Sequence, residues 1–260
     1  MRNYCRLGIV SLSLLYVAMG TLTALAAMGL GGEKTDQKDV FPFLFRQPLG
    51  RVAIALLAFG ICGYIFWRLF QAWSDPAGHG SGVKGIFMRT GYLLSAGFHA
   101  SLAIYAFRMV WDGRARNEPE KAPELTGALM AQPYGQDLVR VAAMIILIVG
   151  IVQFYRAFTE GFRREIADPQ TNRKYDSLIR WSGRFGFTAR GVVMTVIAWM
   201  LYRAGEYANP REAGGVDGVW DFLQAGPMGP LMLATVSGCL AIYGIFLGVK
   251  AWGLQEDLIG

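Results

Sequence analysis

Six long apolar runs, none containing Asp or Glu, dominate the pattern of hydrophobic and polar positions along this 260-residue chain. They fall near residues 7–28, 49–73, 90–111, 138–158, 186–205 and 229–252. Each matches the roughly 20 residues of helix that cross a hydrocarbon core. The runs are continuous rather than alternating, so they predict spanning helices and exclude the strands of a lipid-facing barrel.

The runs come in pairs, and the pairs repeat. An Arg-x-Gly opens each first run, at Arg6-Leu7-Gly8, Arg89-Thr90-Gly91 and Arg184-Phe185-Gly186. A Pro-x-Gly precedes each second run, at Pro48-Leu49-Gly50, Pro133-Tyr134-Gly135 and Pro227-Met228-Gly229. Two markers kept in order, with an internal period of roughly 85 to 95 residues, argue for triplication of one hairpin. The repeats cover about 5–76, 88–164 and 183–254. The predicted fold is therefore one all-α integral membrane domain of six transmembrane helices, arranged as three tandem parallel hairpins with pseudo-threefold symmetry. Every repeat starts on the same side, which places the axis along the membrane normal, unlike the inverted repeats of many transporters.

Between the two runs of each repeat lies a short apolar patch, at 41–45, 125–130 and 219–223. These patches predict interfacial helices, with Phe43, Tyr134 and Trp220 as anchors at the membrane surface. Each Pro-x-Gly proline is expected in the first turn of the span that follows, where a missing N–H costs nothing.

Composition agrees with a membrane protein: 53% hydrophobic, 17% charged and 33 glycines, with mean hydropathy +0.33. Glycine lets helix backbones approach in lipid, and Gly60-x-x-Gly63, Gly186 and Gly191 are candidate contact points. Arg2 and Arg6 followed by an apolar run and Ala24-Leu25-Ala26 resemble a signal peptide with its cleavage site. The run nevertheless aligns with those beginning at Arg89 and Arg184, so it is read as a retained span. Three cysteines, Cys5, Cys62 and Cys239, have no paired spacing and support neither a disulfide framework nor a metal site.

Lys and Arg weigh more heavily on the terminal side, above all between the fourth and fifth spans, which predicts cytoplasmic termini. The expected location is the inner (plasma) membrane, as a multi-pass protein. The net charge of +6 is scattered along membrane edges without an aromatic-interleaved patch, so nucleic acid is not an expected partner. Anionic lipid headgroups on the cytoplasmic side are.

Few residues offer chemistry. His99 lies near the middle of the third span, and an intramembrane ionisable group is a functional candidate by default. With no acid at depth, a neutral imidazole hydrogen-bonded to a neighbouring helix is the favoured reading. Gln153 in the fourth span, and Tyr16, Tyr64, Tyr105, Tyr155 and Tyr243, read as helix contacts. Arg68, Arg156 and Arg190 sit a turn or two inside the terminal-side ends of their spans. Aligned on Pro-x-Gly, Gln71, Arg156 and Lys250 share one position, each followed by an alanine. Such a ring could hold a phospholipid headgroup or another anion, although snorkelling alone produces the same pattern and is favoured. Haem by paired histidines fails because His79 and His99 are the only two, and His79 falls in the Gly-rich turn Pro76–Gly85. Zinc chemistry and Ser-His-Asp or Cys-His catalysis lack their residues. No catalytic, metal or cofactor site is expected, and the protein is read as not an enzyme.

These residues carry a resemblance to a known family. The Arg-x-Gly starts, Gln47–Arg51, Gln132–Gly135, Gly63–Pro76, Lys84–Tyr92 and Ala189–Val193 are similar to bacterial membrane proteins with the domain of unknown function 1206. The resemblance spans essentially the whole chain and implies three tandem pairs of transmembrane helices. The third repeat departs from it, with Ala225-Gly226 before Pro227 and the glutamine moved to Gln224. No activity follows from this resemblance. The expected role is a scaffold or accessory protein that binds lipids or partner membrane proteins; the alternative is a small channel or transporter along the pseudo-threefold axis.

Overall fold

The computed structural model describes residues 2–75, 78, 80, 82–115, 122–166 and 169–253, and the ordered elements among them are helical. In chain order these are α1 (Arg2–Ala27), α2 (Val40–Phe45), α3 (Gly50–Ser74), α4 (Val83–Asp112), α5 (Ala122–Met130), α6 (Gly135–Thr159), α7 (Pro169–Lys174), α8 (Asp176–Glu206), α9 (Val216–Gln224) and α10 (Gly229–Trp252). Six of them, α1, α3, α4, α6, α8 and α10, are long and apolar enough to cross a membrane. The short α2, α5 and α9 each join the two spans of a repeat, so each repeat reads helix, short helix, helix. The protein is an all-α, six-span membrane protein.

Helices α4 and α8 start earlier than their apolar runs. The first turns of α8 are polar, and they are held by ion pairs of Asp176 with Arg163 and with Arg180, the latter 2.8 Å and one turn apart on the helix. Hydropathy marks where lipid begins, whereas a helix continues into water as long as its end groups are satisfied.

The spans follow one another around a ring. The closest seams join different repeats: α10 against α1, α3 against α4, and α6 against α8. Within repeats, α1 packs on α3 and α8 on α10. Helices α4 and α6, the two spans of the second repeat, do not pack along each other. The ring is consequently a horseshoe with α4 and α6 at its open ends.

Both halves of the Arg-x-Gly marker have physical roles. The arginine reaches the end of the last helix of the repeat beside it around the ring. Arg89 pairs with Asp75 at 3.3 Å, Arg184 with Glu160 at 2.9 Å, and Arg6 donates to the Trp252 carbonyl at 3.4 Å. All three meet a helix C-terminus, where carbonyl ends and acids favour a cation. The glycine permits backbone contact with the second span of its own repeat. A Cβ on Gly8 would lie 2.8 Å from Tyr64 Cα, and one on Gly186 would lie 2.8 Å from Tyr243 Cα. The same glycine of the second repeat, Gly91, has nothing within 4 Å of its Cβ position.

The Pro-x-Gly turns correct an expectation. Pro48 and Pro133 sit two residues ahead of their helices, because the residues between, Leu49 (φ 61°) and Tyr134 (φ 60°), are left-handed. In the third repeat it is Pro230, not Pro227, that occupies the first turn of the span. The glycine then donates back across the turn: Gly50 to Gln47 O at 3.0 Å, Gly135 to Gln132 O at 2.9 Å, Gly229 to Gly226 O at 3.0 Å. A side chain there would strike the last turn of the short helix, at Leu44 O, Leu129 O and Gln224 O respectively.

The short helices are not equivalent. Phe41 of α2 and Trp220 of α9 are fully buried under the loop-side end of the bundle. Trp220 Nε1 donates to Thr35 O at 3.0 Å, and Thr23 holds the same loop through its hydroxyl, accepting from Thr35 N at 3.0 Å. Helix α5 follows α6 instead and rests on the Pro210–Glu212 turn, with Leu125 exposed to 67%.

On this loop side, Asp36, Asp39 and Asp217 bring their carboxylates within 4.8 Å of one another. Burial, and then the charge of Asp39, push the Asp36 carboxyl up to about 6. Its Oδ1 accepts from the N–H groups of Lys38 (2.6 Å) and Asp39 (2.8 Å). Because the folded value lies above the unfolded value of about 4, Asp36 supports the fold most at low pH, and this support is lost as pH rises from about 4 to about 6. Asp36→Asn keeps an acceptor and removes the charge. It is expected to raise the melting temperature in detergent by about 2–4 °C at pH 7.5, with the difference vanishing near pH 4.

Candidate functional site

The terminal-side half of the bundle holds the chain's unusual chemistry. Arg68 lies seven residues, and Arg156 four, before the residue that closes its helix, Asp75 and Glu160 respectively. Arg190 lies six residues beyond Arg184, about two turns deeper into the membrane. Lys250 occupies the last turn of α10. The horseshoe brings these four cations, from α3, α6, α8 and α10, toward one another. Lys250 feels the charges of Arg68, Arg156 and Arg190, and Arg156 feels those of Arg190 and Arg68. All four side chains are half-buried.

The two deeper arginines are held by neutral groups. Arg68 Nε donates to Tyr64 Oη at 2.6 Å and Nη1 to Gln71 Oε1 at 3.0 Å. Arg190 Nη1 donates to Tyr243 Oη at 2.6 Å. Each guanidinium also lies over aromatic faces: Arg68 over Tyr64 (4.8 Å) and Tyr92 (5.5 Å), and Arg190 over Tyr243 (4.9 Å). Arg156 stacks on Phe187 at 4.3 Å, and Tyr16 packs edge-on to Tyr243 at 5.0 Å. Cation–π contacts of this kind contribute about 0.5–2 kcal/mol each and orient a guanidinium without neutralising it. Neither Arg68 nor Arg190 pairs with a carboxylate among the described residues.

His99 lies beside the same cluster. Its ring packs on Tyr64 at 4.7 Å, and Nδ1 lies 2.7 Å from Ser95 O. A carbonyl only accepts, so Nδ1 carries the proton and, in the neutral ring, Nε2 is left as an acceptor. The bond runs to the preceding turn of its own helix rather than to a neighbouring helix as the sequence suggested, because that carbonyl is within reach of the side chain. Gln153 is 6% exposed, on the same helical face as Arg156 three residues later, and its Oε1 has no hydrogen-bond partner. A buried amide oxygen left so costs about 1–3 kcal/mol unless something binds it.

Sequence reasoning named the four cations, His99 and Gln153 but treated Tyr64 and Tyr243 as ordinary contacts. The signal was present: Tyr64 and Arg68 are one helical turn apart, and Tyr64 and Tyr243 fall at the same distance after their Pro-x-Gly glycines. His79 lies outside the described residues. The candidate contact glycines all face a neighbour: a Cβ on Gly60 would meet the Ser11 side chain, on Gly63 the Tyr4 carbonyl, on Gly186 Tyr243, and on Gly191 the Phe154 ring at 2.9 Å. The three cysteines are free thiols.

The Domain of Unknown Function (DUF1206) family matches residues 7–75, 90–160 and 185–253, once per hairpin. The chain belongs to this family. It is also 28% identical over 252 residues to an "Uncharacterized protein YxxB" of Bacillus subtilis (strain 168), covering 96% of this chain and 90% of that protein. No solved structure matches it. Within this DUF1206 protein the three matched units supply unequal parts of the cation cluster and its neighbours. The first gives Arg68 and Tyr64, the second His99, Gln153 and Arg156, and the third Arg190, Tyr243 and Lys250.

Proposed function

We propose that this DUF1206 protein is a non-catalytic accessory protein of the plasma membrane whose interior cation cluster holds a phosphate-class anion. The observation that carries this reading is the convergence of Arg68 and Arg190, both held by neutral groups among the described residues, with Arg156 and Lys250 beside them. Enclosing a cation costs several kcal/mol, and crowding like charges together adds to that cost. A bound anion offsets both. Planar guanidinium forks suit the oxygens of a phosphate, and the Nη2 groups of Arg68 and Arg190 remain for it. The excess of Lys and Arg on the terminal side supports cytoplasmic termini, which would turn the cluster toward the anionic inner leaflet.

A second reading, conduction of a solute along the axis, draws on the same cations. Against it stand Met19, Phe41, Trp220 and Leu233, fully buried side chains of the apolar core. Phe41 and Trp220 belong to the short loop-side helices, which supports a closed end there. Phosphate flux in proteoliposomes would favour the channel instead.

The test is binding of water-soluble dihexanoyl phosphatidic acid to the protein in neutral detergent, followed by calorimetry. Arg190→Gln and Arg68→Gln are each expected to weaken binding about tenfold or more, while Arg190→Lys, which keeps the charge, loses less. Equal affinity in the parent protein and both glutamine variants would overturn the reading.

A further inference from the structure

The second repeat keeps both markers of the hairpin without the packing they permit. In the first and third repeats the Arg-x-Gly glycine brings α1 onto α3 at Tyr64 and α8 onto α10 at Tyr243. Gly91 sits at the same place on α4, in open space, and Gly97 two turns on does likewise. Fourteen residues after the Pro-x-Gly glycine, where Tyr64 and Tyr243 stand, α6 carries Val149. Along α4 and α6 large apolar side chains are exposed, among them Leu94, Phe98, Ile148 and Val152. The opening is therefore lipid-facing by composition. It lies at the level of the cation cluster, since Tyr92, the neighbour of Gly91, stacks under Arg68.

We infer that the gap between α4 and α6 is a lateral gate through which a phosphate-bearing membrane lipid reaches the cation cluster, and that the gate closes by packing α4 on α6 with Gly91 against Val149. This rests on the phosphate-class reading above and commits it to a lipid source. Charge complementarity selects the occupant. The phosphate belongs among Arg68, Arg156, Arg190 and Lys250, with the polar His99 Nε2 and Gln153 Oε1 beside the headgroup, while acyl chains leave through the apolar gap. An aqueous anion would have no use for a lipid-facing opening. The same electrostatics couples binding to closure. Arg156 rides on α6, and its approach to Arg68 and Arg190 is opposed by their charges until an anion stands between them. Lipid phosphate thus favours the closed arrangement, and Gly91 is the position that lets the backbones meet.

The experiment uses the full chain with Cys5, Cys62 and Cys239 replaced by alanine, carrying Leu94→Cys and Ile145→Cys, the positions that correspond to Ser11 and Gly60, which meet across the first repeat, so that Gly91 is kept. It is reconstituted in phosphatidylcholine vesicles containing either dioleoyl phosphatidic acid or dioleoylglycerol. Under mild oxidant, a disulfide within one chain is expected to form about tenfold faster with phosphatidic acid than with dioleoylglycerol. The control pair Leu94→Cys with Leu147→Cys, about 200° around α6 from Ile145, should cross-link slowly in both. The oxidised protein is expected to exchange bound phosphatidic acid at least about tenfold more slowly than the reduced protein. Equal cross-linking in the two lipids, or faster cross-linking of the control pair, overturns the gate. Disulfides between two chains would place a second copy in the gap and overturn it equally. If inorganic phosphate binds with the same arginine dependence while acyl chains add no affinity, the anion site stands and the lipid route falls. If arginine substitution changes neither, both readings fall together.

Discussion

Gly186→Ala is expected to destabilise the protein by about 1–3 kcal/mol through overpacking, whereas Gly91→Ala, at the same place in the second repeat, is expected to be neutral or stabilising by up to about 1 kcal/mol. The two glycines share a motif and a helical setting, so helix propensity acts alike on both. What differs is the neighbour. At Gly186 a new Cβ would meet Tyr243 at 2.6 Å from its Cβ and 2.8 Å from its Cα. Backbone cannot yield as a flexible chain end does, so α8 and α10 must move apart. That movement also loosens the bond from Arg190 to Tyr243 Oη. Gly8→Ala meets the backbone of Tyr64 in the same way and should cost a similar amount. At Gly91 nothing stands within 4 Å, and alanine simply removes glycine's excess freedom from the unfolded chain. Melting curves in one detergent, followed by helical circular dichroism, would measure all three. A loss at Gly91 equal to that at Gly186 would mean that the second hairpin is closed in solution like the others.

The six spans were legible because lipid imposes its requirement on composition directly: a long run without acids has no other stable place. The repeat was legible for a related reason, since Arg-x-Gly and Pro-x-Gly each do local work. One arginine caps the last helix of the repeat beside it, and one glycine clears the carbonyl of the short helix beside it. The opening in the second repeat was not legible, because Gly91 and Gly135 are as well formed as their counterparts. Packing between α4 and α6 depends on partners distant in sequence, and a motif that permits contact does not enforce it. One difference could have been noticed, that Val149 replaces the tyrosine found at 64 and 243. The cation cluster was half legible. Aligning Gln71, Arg156 and Lys250 described a threefold ring, but Arg68 and Arg190 occupy positions outside that alignment. They join the ring because helices of different repeats form the tightest seams, and seams between repeats cannot be read from any single repeat.

Trp220→Ala is expected to destabilise the protein by about 3–5 kcal/mol, the largest single-residue loss anywhere on the loop side, whereas Leu125→Ala on the corresponding short helix should fall within about 0.5 kcal/mol. Trp220 is fully buried and packs with the core that includes Val219, Leu223 and Leu233. Removing the indole leaves a cavity lined by side chains anchored on α8 and α10, which can collapse only in part. The hydrogen bond adds less than the volume. Thr35 O loses the indole N–H but keeps the Thr23 hydroxyl at 3.3 Å, so no buried carbonyl is orphaned. The consequence should nevertheless spread beyond α9, because Trp220 and the Lys34–Asp221 pair at 2.5 Å tie the loop of the first repeat to the short helix of the third. Leu125 makes no such tie and is largely exposed on α5. Trp220→Phe separates the two contributions, since it restores most of the volume without the N–H donor and should recover more than half of the loss. If Leu125→Ala instead cost as much as Trp220→Ala, α5 would have to be buried under the bundle as α9 is, and the second repeat would not be the open one.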